Sequence, residues 1–169
     1  MIVGAMEFVE ALEKMSRVDL RRGVAQAISF VQEDAKSNCP VHDGELRGSI
    51  FTEIKSEGDI IRGICYTNKT YAPFVEMGTG PKGQESHDGI SPEVTWAYSQ
   101  SPWWIHEGSG ANEIDRATAE EYHLFAIDTP EGRFYQCTGQ AAQPFMYPAL
   151  KNNADRATQI IAREVKKQL

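Results

Sequence analysis

The sequence predicts an α+β fold: a long N-terminal helix and a C-terminal helix packed on one face of a mostly antiparallel sheet, with a long loop excursion. Three observations predict it. Each end of the chain carries an apolar stripe at helical period. Between them lie β-rich runs joined by short turns containing glycine. A stretch over residues 78–132 follows neither period, and so long a stretch outside the sheet is normally functional or ordered by a partner. Helix, strands and helix in that order favour helices laid on an antiparallel sheet. The 169 residues suit a single domain. Residues 1–77 form helix plus hairpin, 78–132 a variable excursion, and 133–169 the last strand and C-terminal helix.

The elements follow in order. Residues 5–37 lack proline, and Leu20, Val24, Ala27, Ile28, Val31 and Ala35 share one helical face. Arg21, Arg22, Gln26, Glu33 and Lys36 lie off that stripe. Asp19, with Ser16 as the alternative, is an N-cap candidate that marks a break near 16–19. Pro40 disfavours helical geometry at Cys39, so the helix stops by Asn38. Asp43-Gly44 makes a turn. Ser49–Ser56 and Ile60–Thr67 are strands joined at Glu57-Gly58-Asp59. Tyr71–Met77 suits either a strand or a helical turn, and 78–102 is loop. Trp103–Ile105 is extended and Asn112–Glu121 a short helix. Tyr122–Ile127 and Arg133–Thr138 form a second hairpin joined by Asp128–Gly132. At the end, Leu150, Ala154, Ala157, Ile161, Val165 and Leu169 form an amphipathic stripe. Lys166-Lys167 suits that helix's negative end.

Composition excludes several classes. Apolar residues are 41% and charged residues 24%, enough for a packed core. No apolar run approaches the roughly 18 residues that cross a bilayer. Met1–Glu7 has no basic region, so no secretory signal is expected. The odd, scattered Cys39, Cys65 and Cys137 argue for a reducing compartment at synthesis. Seventeen bases face 24 acids, a net of −7. Residues 81–137 hold three of those bases and ten of the acids, so that segment carries the whole imbalance. Wrapping DNA phosphates needs clustered Lys and Arg. A solvated acidic stretch is the plainer explanation.

Candidate chemistry is sparse. Gly78–Gly83 has the letters of a dinucleotide fingerprint, but no helical pattern follows it and no crossover unit surrounds it. Lys82 is followed by Gly83, which rules out a Walker loop. A glycine-rich turn where backbone passes close to something accounts for it better. His42, His87, His106 and His123 lack compact zinc spacing, and Cys137 is solitary. Ser49 and Ser109 lie in no nucleophile elbow. Glu76 is a candidate acid, though a structural hydrogen-bonding role is commoner. Trp96, Trp103 and Trp104 suit a sugar or base platform, or the apolar anchor of a subunit contact. The acids around them favour the anchor. No catalytic residue, metal or cofactor is expected.

Three ordered segments point further. Pro40-Val41-His42-Asp43-Gly44-Glu45-Leu46-Arg47-Gly48-Ser49-Ile50 follows the long helix. Tyr71-Ala72-Pro73-Phe74-Val75-Glu76-Met77-Gly78-Thr79-Gly80 follows the hairpin. Gln143-Pro144-Phe145-Met146-Tyr147-Pro148-Ala149-Leu150 opens the last helix. This order resembles the minor tail-component and head–tail joining family of long-tailed bacteriophages. The resemblance covers residues 20–169, of which 84–135 vary. His42-Asp43-Gly44-Glu45 stands where Asp-Thr-Gly is usual, and the excursion is long for the family.

The resemblance implies a structural virion protein of the neck or tail end, assembled in the bacterial host cytoplasm. It implies a homo-oligomeric ring, hexameric, around a DNA channel through which DNA passes without specific binding. Head-completion and tail-tube proteins would adjoin it, and no membrane is involved. For such a ring, Glu76, Gly78, Thr79, Gly80, Lys82, Trp103 and Trp104 are the expected subunit contact. Glu113, Asp115, Glu120 and Glu121 are expected to face the channel or a partner. Two alternatives stand beside this. One is an acidic adaptor or minor capsid component that binds a basic partner. The other is a small enzyme built on Glu76, a histidine and the Gly78–Gly83 loop.

Overall fold

The computed structural model describes residues 5–16, 18–86 and 88–169. It divides into two compact units, one formed by residues up to 70 together with 144–169, the other by 71–143. In the first unit the predicted helix is broken as expected, into α1 (Ala5–Ser16) and α2 (Arg21–Asn38). Leu20 is the N-cap of α2, without a side-chain capping bond, in place of the expected Asp19, though Asp19 bonds to the first helical residue. The Asp19 Oδ1 accepts the Arg21 N–H at 2.9 Å, which relieves one of the unpaired amides at the start of α2. The Gln168 amide brackets the same residue, accepting the Asp19 N–H at 2.8 Å and donating to its carbonyl at 3.0 Å. The alternative cap, the Ser16 side chain, lies outside the described residues, as do Met1–Gly4. Helix α2 ends at Asn38, and Cys39 is extended (φ −64°, ψ 124°), as the following proline requires.

The turn after Pro40 forms through Asp43 Oδ1, which accepts the Glu45 N–H at 2.9 Å, and Gly44, at φ +83°. A single helical turn, α3 (Glu45–Gly48), leads into the hairpin β1 (Ile50–Glu57) and β2 (Ile60–Thr67). The strands run antiparallel from Ile50↔Thr67 to Glu57↔Ile60, so the connection is Gly58-Asp59 alone. A two-stranded hairpin is marginal by itself. Here α2 covers it, with Val24 and Ile28 against Gly63, and α2 buries Ala27, Ile28, Val31 and Ala35 between its neighbours. The approach is tight at Gly63, where a Cβ would lie 3.0 Å from Val24 Cγ1 and 3.1 Å from Ile28 Cβ.

The last helix, α7 (Met146–Lys166), packs chiefly on α2. A Cβ on Gly23 would sit 3.2 Å from the Ile161 Cα, so the helix backbones come close there. The α+β class stands, and the arrangement is refined: hairpin, α2 and α7 are successive neighbours.

The inward face of α7 corrects the predicted stripe. Leu150 and Leu169 are 55% and 53% exposed, whereas Ala149, Asn153 and Glu164 are buried. Polar residues turn inward because they find partners there. Asn153 Nδ2 donates to Asp34 of α2 and to the Ala149 carbonyl at 2.9 Å. Glu164 accepts from Lys167 and lies 3.7 Å from Arg22 Nε. A buried polar group costs little once it is paired, and hydropathy alone does not register the pairing.

The second unit corrects the picture of a loop excursion. It holds α4 (Ala72–Met77), α5 (Gly80–Glu85), β3 (Trp103–Glu107), β4 (Glu113–Ile114), α6 (Arg116–Glu121), β5 (Phe125–Thr129) and β6 (Gly132–Cys137). Four strands form a sheet of their own, in the order β4-β3-β6-β5. The predicted second hairpin is present as β5–β6, but its connection is only Pro130-Glu131. Residues 122–124 are not strand. His123 adopts φ +51° at the end of α6, a left-handed helix stop. The expected last strand pairs with β3, from Trp103↔Cys137 to His106↔Phe134, inside the supposed excursion. Runs of two to six residues are too short for their period to show in sequence.

Ile28→Ala and Phe145→Ala should each lower unfolding free energy by about 2–5 kcal/mol, because both side chains are buried. Gly63→Val should also destabilise, by forcing the hairpin away from α2. Urea unfolding of the three variants checks this.

Candidate functional site

The glycine motif at residues 78–83 does pass close to backbone, as expected, and its neighbour is the segment 138–143. Gly78 has φ +73°, and a Cβ there would lie 2.7 Å from the Ala142 nitrogen and 2.8 Å from the Gln140 carbonyl oxygen. Gly80 has φ +59°, and its Cβ would meet Trp103 Cζ3 at 2.8 Å and the Thr138 oxygen at 2.9 Å. Three bonds lock the two segments, and a fourth ties the second segment to α4. Thr79 N–H donates to the Gln140 carbonyl (2.9 Å) and Gln143 N–H to the Val75 carbonyl (2.8 Å). Lys82 N–H donates to the Thr138 carbonyl (3.3 Å), and Gln140 N–H to Thr79 Oγ1 (3.1 Å). A helix does begin inside the motif, contrary to expectation, but α5 is only six residues long.

Beside this junction is a cleft of about 610 Å³. It is lined by Tyr71, the N-cap of α4, by Phe74 of α4, and by Trp96, Trp103, Thr79 and Gln140. Trp96 is held by its Nε1–H on the Gly78 carbonyl (3.2 Å) and by an edge contact with Phe74 at 5.8 Å between centroids. The adjacent Tyr98 hydroxyl donates to the Met77 carbonyl at 2.6 Å.

The residues expected at a subunit contact are thus distributed. Gly78 and Gly80 are buried, and Thr79 and Trp103 line the cleft. Glu76 is half-buried on α4 and Lys82 exposed on α5, both off the lining. Successive strand residues point to opposite faces, so Trp104 leaves Trp103. It stands on the other side of the sheet, 6.3 Å from the ring of Phe125.

The acids are less uniform than a solvated stretch would be. Glu107 accepts from Arg116 Nη2 (2.9 Å) and Nε (3.2 Å), and from the Tyr135 hydroxyl. The Arg116 bonds first, then Tyr135, hold its carboxyl below the usual range. Asp128 takes both donors of Arg133, at 2.8 and 3.0 Å, and is lowered by them. Glu113 is lowered chiefly by the Gly110 N–H on its Oε2, at 2.8 Å, with His106 Nδ1 3.4 Å from Oε1. Asp115 caps α6, accepting from Thr118 N–H (3.0 Å) and Thr118 Oγ1 (2.6 Å). Glu120 and Glu121 are exposed on α6. Glu113, Asp115, Glu120 and Glu121 are all exposed, and charge counting in sequence could not separate the two with local bonds from Glu120 and Glu121.

The reactive candidates are placed as follows. Burial pushes the Cys65 thiol up, away from the thiolate that nucleophilic chemistry needs. Ser49 is buried, bonded to the Leu46 carbonyl (2.8 Å) and Thr67 Oγ1 (2.6 Å). His42 and His123 are exposed, and His87 lies outside the described residues. Among the described residues no three His, Cys, Asp or Glu converge on a metal position.

Asp115→Ala should lower the melting temperature through loss of the α6 cap. Glu107 and Asp128 have folded-state pKa values below their unfolded ones. Their contribution is present above the unfolded values near about 4 and is lost as pH falls through the folded values. Melting temperature should therefore drop in acid, and Glu107→Gln should make that drop shallower.

Residues 5–78 match the family described as "Bacteriophage HK97-gp10, putative tail-component". The matched stretch runs from α1 through the hairpin to Gly78 and contains the first motif and most of the second. No curated protein and no solved structure matches the chain. Over residues 5–78, then, the chain is a match to the HK97-gp10-like tail components of bacteriophages, the family that its motifs resemble.

Proposed function

We propose that the chain is a structural protein of a tailed-phage virion, forming a six-fold homo-oligomeric ring around the DNA channel at the head–tail junction or tail end. Head-completion and tail-tube proteins adjoin it. The observation that carries this reading is the match of residues 5–78 to a phage tail-component family. The charge distribution supports it. The unit 71–143 has three bases and eleven acids, a net of −8, while the other unit has fourteen bases and thirteen acids. Cyclic symmetry needs two complementary patches on each subunit. Glu76, Lys82 and the cleft lined by Thr79, Gly80 and Trp103, beside Gly78, supply one patch, and Trp104 on the other face of the sheet belongs to the second. A ring multiplies the acidic unit, and an acidic lumen lets DNA phosphates slide without being held. Among the described residues no helix is long and apolar enough to cross a membrane.

Light scattering of the concentrated protein and electron microscopy of assembled tails test the ring. A closed ring is expected in at least the second setting, and a chain monomeric in both overturns the reading. Glu113 and Asp115 have local structural bonds, so a charge test uses Glu120→Lys with Glu121→Lys, which leaves the α6 cap intact. Normal assembly with slowed genome ejection places these two acids on the channel. Failed neck or tail completion places them on a partner. No change in either returns them to solvent.

A further inference from the structure

We propose that the aromatic cleft of the unit 71–143 is a binding site for a cationic side chain, an arginine or lysine presented by a basic segment of a neighbouring protein. The cleft is built in advance. Trp96 is fixed by the Gly78 carbonyl, Trp103 fits only because Gly80 has no side chain, and Thr79 and Gln140 are tied to each other. Its chemistry then selects the guest by elimination. Of the polar side chains on the lining, which also include the Tyr71 hydroxyl and the Trp103 indole, Thr79, Gln140, Ser99 and Trp96 already bond to the protein. Thr79 Oγ1 accepts the Gln140 N–H, Gln140 Nε2 donates to the Phe74 carbonyl (2.7 Å), and Ser99 Oγ donates to the Ser101 carbonyl (2.8 Å). A saccharide needs several such groups directed at it, and most of those on the lining are already engaged. An anion would find no cation on the lining, in a unit of net −8. That also disfavours stacked nucleotides, which need basic residues to hold their phosphates.

What remains is a guest with an apolar stem, and the field decides its charge. Two of the unit's three bases are committed, Arg116 to Glu107 and Arg133 to Asp128. The third, Lys82, is exposed and off the lining. Ring faces attract cations, and the excess of acids raises the local concentration of a positive guest. The inference rests on the reading of this surface as a protein contact. Its test does not need assembly: a chain that never forms rings can still select the cation, and a ring can form without doing so.

The test uses the full chain labelled with ¹⁵N and follows the three indole N–H signals. The probes are N-acetylargininamide and its uncharged counterpart N-acetylcitrullinamide. Trp96 and Trp103 line the cleft and Trp104 does not, so Trp104 is the internal control. Saturable shifts of Trp96 and Trp103 with the arginine probe are expected, with Trp104 unmoved. The citrulline probe should bind about tenfold more weakly. Raising sodium chloride from about 50 to about 300 mM should weaken the arginine probe about threefold. Phe74 is half-exposed, so Phe74→Ala should melt as the parent does and lose about fivefold in affinity. Tyr71→Ala serves if that variant fails to fold. Equal binding of both probes would make the cleft a neutral apolar pocket and overturn the proposal. So would shifts of the same two signals with methyl glucoside or a short oligodeoxynucleotide, or no shift with the arginine probe.

Discussion

Helix α2 is covered by the β1–β2 hairpin and by α7, and two glycines set how closely both can approach. At Gly63 the hairpin backbone lies against Val24 and Ile28, and at Gly23 the backbone of α7 lies against α2. A two-stranded hairpin cannot hold its own register against water. It depends on the apolar face that α2 presents. The polar residues on α7 depend on α2 as well: Asn153 reaches Asp34, and Glu164 reaches Arg22. Interhelical polar bonds of this kind add directionality to the contact, which apolar burial by itself lacks.

In the second unit the corresponding constraint is the backbone junction between residues 78–83 and 138–143. Glycine is required at 78 and 80 both for positive φ and for space. The same junction explains the cleft beside it. Segments from α4, the loop before β3, β3 itself and the stretch after β6 are brought together by it, each adding an aromatic or polar residue. These residues are widely separated in the chain, so their convergence is a tertiary event.

Charge shows how local bonds divide a seemingly uniform feature. Ten acids cluster in residues 81–137, and six of them show three conditions. Glu107 and Asp128 are neutralised by guanidinium pairs, Glu113 and Asp115 hold backbone N–H groups, and Glu120 and Glu121 face water. Of these six, only Glu120 and Glu121 can meet a partner or the channel without giving up a local bond. A run of like charge in a sequence therefore gives the sign of a surface, and the bonding of each member determines how much of that charge is available.

Local signals were enough to determine the helix break at Asp19, the stop before Pro40, the hairpin turn at Gly58-Asp59 and the close backbone passage at Gly78–Gly80. Each depends on a residue's own steric or hydrogen-bonding character, which does not require knowledge of distant residues. The three ordered motifs likewise point to the phage tail-component family through residue order alone. Other features were decided by contacts across the chain. Leu150 faces outward because paired Asn153 and Glu164 take the inner face of α7. Residues 103–137 form their own sheet because β3, β5 and β6 pair with one another, through runs too short to display a period. The cleft also required the tertiary structure, for Tyr71, Phe74, Trp96, Trp103 and Gln140 share no spacing in the sequence. Only the folded backbone brings them to one place.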